Sequence, residues 1–166
     1  LETSSSQFLK SMEKVFDVLG VEYTIMKNWN CCGATSVKAL DHRLNQAINL
    51  RNLALAEQQG YDELIVPCAS CYHRLAGTDH ELRQDPELAE KLSKETGFSY
   101  EGKVKVRNLL DFFVNVLGID RIREKVVNPL SGYQVACYYG CLNTRLPGML
   151  SFDVVEYPVS MDKIMQ

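Results

Sequence analysis

Cys31 and Cys32 are adjacent and followed by Gly33, and 34 residues later Cys68 and Cys71 form a C-x-x-C, with Cys137 and Cys141 further downstream. Thiols at such spacings ligate soft metals or exchange with disulfides. Successive side chains diverge, so Cys31 and Cys32 do not easily chelate one tetrahedral zinc, whereas they reach two irons of a cluster. A C-x-x-C at a helix start has its thiols acidified by the helix dipole, which suits metal binding and disulfide exchange equally. The shared peptide of Cys31 and Cys32 works against a disulfide between them, while Cys68 and Cys71 could close one.

Six cysteines would suit a disulfide framework in a small secreted protein, but such frameworks serve chains too short to bury a core. With 166 residues, 46% hydrophobic and 23% charged, this chain has the balance of a globular domain. The reading is a reducing, cytoplasmic setting with metal-ligating or redox-active thiols. The net charge of −3, with no basic block, leaves nothing built to cover nucleic-acid phosphates. No apolar run approaches a membrane span and no charged-then-apolar leader opens the sequence, so neither membrane insertion nor secretion is expected. There is no G-x-G-x-x-G and no Walker loop, so a flavin or nucleotide, if used, belongs to a partner.

The elements that must position these thiols can be read from periodicity. Phe8, Met12, Val15, Phe16 and Leu19 mark an amphipathic helix stopped at Gly20. Val21 to Met26 reads as a strand leading through Asn28, Trp29 and Asn30 into the cysteine pair at a strand-to-helix turn. Val37, Leu40, Leu44, Ala47, Ile48 and Leu55 form a helical stripe ending at Gly60, and Leu64 to Val66 a strand that puts Cys68 at its carboxyl end. A helical stretch through Leu75 and Leu82 continues past Asp85 and Pro86 to Gly97. Helices follow over Leu109 to Leu117 and Ile119 to Val126, and strands over Gln134 to Cys137 and Phe152 to Glu156. Alternating strands and helices predict an α/β fold with a parallel, doubly wound, Rossmann-like sheet and flanking helices, in which both cysteine motifs fall at strand ends.

An internal repeat organises the chain further. Ser11 to Phe16 matches Ser160 to Met165, and Leu1-Glu2-Thr3 matches Leu142-Asn143-Thr144. Because Cys141 precedes Leu142, a cysteine is expected to precede Leu1. The expected organisation is a first repeat over 1–130 without its leading cysteine and the beginning of a second over 131–166, the chain being a fragment.

Cys31-Cys32-Gly33 with Cys68-Ala69-Ser70-Cys71 resembles the cysteine-rich CCG domain, and Tyr138-Tyr139-Gly140-Cys141 resembles the opening of that family's second copy. The chain as a whole is similar to the B subunits of CoB–CoM heterodisulfide reductases. The resemblance implies an iron–sulfur oxidoreductase component that reduces a disulfide in single-electron steps at noncubane [4Fe-4S] clusters. Its partners would be iron–sulfur and flavin subunits. Carried over residue by residue, Cys31, Cys32, Cys68 and Cys71 match the ligands of the first motif and Cys141 the first ligand of the second. Neither set is complete in this chain, so the fragment alone is expected to be inactive and to hold a partial cluster or none. The alternatives are an electron-transfer module of a glycolate, lactate or succinate type of oxidoreductase complex, and a structural zinc or dithiol module.

Other residues have plainer readings. Cys137, on an expected strand, reads as a small buried hydrophobe. His73 could assist proton delivery to a leaving thiolate, but a solvated helix histidine explains it more simply, as for His42 and His80. Trp29 walls the site or belongs to the core. Tyr138, Tyr139 and Arg145 read equally well as site neighbours or as ordinary strand and surface residues.

Overall fold

The computed structural model describes residues 5–144 and 152–166. Helix α1 (Ser6–Leu19) ends where Gly20 takes a left-handed φ of 62°. Its Phe16 packs against Tyr23 and against Phe112 and Phe113 with ring centroids 5.3, 5.7 and 6.0 Å away. Helix α2 (Ser36–Leu40) is separated from α3 (His42–Gln58) by Asp41, whose extended backbone breaks the helix and whose carboxylate accepts the Leu44 N–H at 3.0 Å. The single long stripe expected from Val37 to Leu55 is therefore two helices, with Leu40 86% exposed. Strand β1 (Glu63–Val66) leads into α4 (Ala69–Gln84), and α5 (Pro86–Thr96) follows directly. At that junction Asp85 accepts from Leu88 N and Pro86, which has no N–H to lose, opens the new helix.

Strand β2 (Lys105–Asn108) pairs in parallel with β1, in the register Glu63 to Lys105 through Val66 to Asn108. Helix α6 (Leu109–Asp111) runs into a π-helical turn, Phe112–Leu117, and then α7 (Ile119–Arg123). The short helices α8 (Cys141–Thr144) and α9 (Ser160–Met165) complete the described residues. The core gathers Leu50, Leu53 and Ala54 of α3, Tyr72, Leu75, Ala76 and Leu82 of α4, Leu92 of α5, and Val66 and Val106 of the sheet.

The chain is α/β with parallel pairing, as expected, but the sheet among the described residues has two strands, β1 and β2. The expected strands at 21–26, 134–137 and 152–156 are irregular backbone, and β2 was not anticipated. Its Lys-Val-Arg-Asn is short and mostly polar, and it is fixed by its partner: Arg107 bridges Glu63 at 2.8 Å and Asp111 at 2.9 Å. Both copies of the repeated segment are helical, in α1 and α9, and both pack on the Phe112–Leu117 turn. Leu1 to Thr3 and Arg145 lie outside the described residues.

Candidate functional site

Cys68 is the N-cap of α4, with extended backbone and no capping hydrogen bond from its side chain, and the Cys71 thiol stands one turn along. The C-x-x-C is thus placed by local sequence: β1 ends, Pro67 excludes helix before it, and the helix begins. Tyr72 N donates to Cys68 O at 2.8 Å, closing the first turn.

The cysteine pair is placed differently. Residues 27–33 run beside α3 and are bonded by its side chains. Gln59, just beyond the helix, accepts the Lys27 N–H at 2.9 Å and donates to Lys27 O at 3.0 Å. Asn52 does the same for Asn30, accepting at 2.9 Å and donating at 2.8 Å. Asn45 and Asn49 both donate to Cys32 O, at 2.7 and 3.1 Å. Arg51 donates to Asn28 O and Asn30 Oδ1, holding Asn28 at a left-handed φ of 59°. These amides give the backbone of this irregular segment hydrogen-bond partners that it would otherwise lack. Gly33 has φ +64°, and a Cβ there would meet Ile48 Cδ1 at 2.7 Å and Val37 Cβ at 2.8 Å, so only glycine fits.

The two loops meet at sulfur. Cys32 Sγ lies 3.0 Å from Cys71 Sγ, with Cys32 buried and Cys71 half-buried. The Cys32 thiol is pulled down to about 6 by its hydrogen bond with Cys71, against opposing burial, with help from the Ala34 N–H and the Cys31 thiol. That same hydrogen bond, then burial and the charge of Cys32 and Cys68, pushes Cys71 well up. The pair therefore sheds one proton readily and holds the second. Cys31 acts on Cys32 and Cys68 on Cys71, so the four thiols named from the sequence form one connected group. All of them are free cysteines, and the close pair joins the two motifs rather than lying within the C-x-x-C.

Cys141 is exposed and opens α8, which packs against α4. Asn143 of α8 accepts from Asn108 Nδ2 at 2.9 Å, tying α8 to the carboxyl end of β2. Cys137 is half-buried, with no strand around it; burial first, and then Asp162, pushes its thiol up. His73 has its Nδ1 buried without a partner, and burial followed by the charges of Arg74 and Lys38 pushes it down. Trp29 is 42% and Tyr138 91% exposed, whereas the Tyr139 hydroxyl accepts the Met161 N–H at 2.7 Å at the start of α9.

The residues that sequence reasoning passed over are Asn45, Asn49, Asn52 and Gln59. Their signal was present: three asparagines at helical spacing along one face of α3, all buried. Among the described residues no three His, Cys, Asp or Glu side chains are arranged to hold a single metal ion. An all-thiolate donor set, split between an adjacent pair and a C-x-x-C, instead has the chemistry of a multi-iron sulfur cluster.

Fold and site define a cysteine-rich α/β domain with thiols from two loops in contact. Residues 1–76 match the family model of the cysteine-rich domain CCG, and the chain carries a domain of that family. Over its full length it is 30% identical to the 8-methylmenaquinol:fumarate reductase membrane anchor subunit of Wolinella succinogenes, covering 58% of that protein. It is 30% identical to the B subunit of the ferredoxin/F(420)H(2)-dependent CoB-CoM heterodisulfide reductase of Methanosarcina acetivorans, over 95% of this chain and 53% of that one. An Archaeoglobus profundus protein described as like the B subunit of heterodisulfide reductase is 32% identical over 79% of this chain and 45% of its own. The resemblance read from the motifs is borne out, and the chain spans about half the length of the curated relatives it matches. No helix among the described residues is long and apolar enough to cross a membrane.

Proposed function

We propose that this chain is the thiolate platform of an iron–sulfur oxidoreductase acting on a disulfide, with Cys31, Cys32, Cys68 and Cys71 as ligands of a noncubane [4Fe-4S] cluster. The observation that carries this reading is the 3.0 Å approach of Cys32 to Cys71 across the two motifs. Bound there, such a cluster supplies electrons singly to the two sulfurs of a disulfide. The chain's own residues hold the sulfurs together, keep Cys32 buried, and ease loss of the first proton, which ligation requires. Cys141 would begin a second ligand set, in an organisation of a first repeat over 1–130 and the start of another over 131–166. Partners would be iron–sulfur and flavin subunits of a cytoplasmic complex, with the heterodisulfide of coenzymes M and B as the substrate type.

A second reading, an electron-transfer module serving a different acceptor, is favoured by the similarity to a component of a fumarate reductase. Turnover of a heterodisulfide with a reduced dye by the protein with both motifs complete separates the two, since a correctly clustered protein without turnover favours the relay.

The test of the platform itself is iron, zinc and acid-labile sulfide per chain in anaerobically purified protein, both of this chain and of one in which both motifs are complete. Iron and sulfide in matching amounts, up to about four each per complete motif, are expected, and Cys32→Ser or Cys71→Ser should lose both together. Zinc without sulfide, unchanged when Cys31 and Cys32 are replaced, would overturn the reading in favour of a zinc or dithiol module on Cys68 and Cys71.

A further inference from the structure

Asn45, Asn49 and Asn52 are 2%, 0% and 3% exposed, so one face of α3 buries three amides. Buried amides are unfavourable unless bonded, and Asn49 is only half bonded. Its Nδ2 donates to Cys32 O at 3.1 Å and to Asn45 O at 2.7 Å, while its Oδ1 is buried without a donor. Reversing the amide would set that oxygen against two carbonyls, so the orientation is determined by its neighbours. A leucine would fill a similar space without a bare acceptor, so what the asparagine adds is its donor side. Both Asn45 and Asn49 spend that donor on the Cys32 carbonyl, and Asn52 pairs both backbone groups of Asn30.

We propose that Asn45, Asn49 and Asn52 are positioning residues that hold the Cys31-Cys32 peptide, and with it the direction of both thiols, in register with Cys71. Two amide donors on one carbonyl fix the plane of the peptide that follows Cys32, and the Asn52–Asn30 pair fixes the peptide that precedes Cys31. The C-x-x-C needs no such help, because α4 itself orders it. In the metal-bound state this rests on the function proposed above; in the metal-free protein it does not.

The experiment measures alkylation rates of individual thiols by mass spectrometry in metal-free, reduced protein. Asn49→Ala and Asn45→Ser should speed alkylation of Cys31 and Cys32 by about fivefold to thirtyfold, the local opening expected when one or two such bonds are lost, speed Cys71 as well because it loses its contact with Cys32, and leave Cys68 unchanged. Gln59→Ala, at the solvent end of the same row and acting three residues before Asn30 through Lys27, should have the smallest effect. The proposal is overturned if Cys68 accelerates in parallel, if neither Cys31 nor Cys32 responds, or if Gln59→Ala acts as strongly as Asn49→Ala. Should Asn49→Ala fail to fold, Asn45→Ser against Gln59→Ala decides the same question. In iron-loaded protein the asparagine variants should also lower cluster affinity about tenfold to a hundredfold and alter its paramagnetic spectrum. Protein with both motifs complete that takes up no iron and sulfide would sink the proposed function while leaving the alkylation contrast to judge the asparagines.

Discussion

The two cysteine loops that meet at Cys32 and Cys71 are built by opposite means. Cys68 to Cys71 is ordered by its own neighbours, a strand end, a proline and the first turn of α4. Cys31 and Cys32 have no regular structure of their own and are held by side chains at positions 45, 49, 51, 52 and 59. One loop is thus robust to change at a distance, and the other depends on a helix that the chain reaches only afterwards. A site assembled from both has a fixed half and an adjustable half, which lets the helix face tune the cysteine pair without disturbing the C-x-x-C.

The sharpest way to break that contrast is Gly33→Ala. The left-handed backbone and the close approach of Ile48 and Val37 together should destabilise the protein by about 3 kcal/mol, read as a lower midpoint in urea unfolding. A near-neutral result would mean that the cysteine pair can move away from α3 freely, and that its placement is not set by that helix.

A smaller effect should come from Asp153→Ala, because the start of α9 is held by side chains in the manner of the cysteine pair. Asp153 accepts Val159 N and Ser160 N at 2.9 and 2.8 Å, and also the Ser160 hydroxyl. Burial opposes ionisation of Asp153, but these hydrogen bonds and that of Val154 N prevail and hold its carboxyl below the ordinary value. Its contribution is therefore complete above the ordinary carboxylate pKa and lost as pH falls through the lowered folded value. Replacing it should cost α9 about 1 kcal/mol at neutral pH and abolish that acid dependence, measured as hydrogen-exchange protection of the α9 amides across pH.

The smallest expected effect has the opposite sign. Cys68 caps α4 without a side-chain hydrogen bond, so Cys68→Ser should raise the melting temperature of the metal-free protein, by roughly 0.5–1 kcal/mol of added capping, even as it removes a thiol. A loss of stability instead would show that the C-x-x-C also relies on contacts between thiols.

Helices α1, α4 and α5, strand β1 and the C-x-x-C at a strand end were all legible, because caps, glycine stops and apolar spacing act within a few residues. The strand expected at 21–26 was misread because its apolar alternation in sequence is not matched by burial: Tyr23 and Ile25 are exposed. Residues 27–33 found backbone partners in the amides of α3 and Gln59, more than ten residues away. Strand β2 escaped notice for the converse reason, since Lys105 to Asn108 has little apolar content and becomes a strand by pairing with β1 and by the bridges of Arg107.

By itself the sequence determined which thiols are available and the family resemblance, because cysteine type and spacing are covalent facts that any fold must respect. Only the tertiary structure decided that Cys32 meets Cys71, and that asparagines on α3 hold the backbone around the cysteine pair. Hydrogen bonds between distant side chains and backbone have no period of their own. They exist only once the core of α3, α4 and the sheet has brought the two loops to one place.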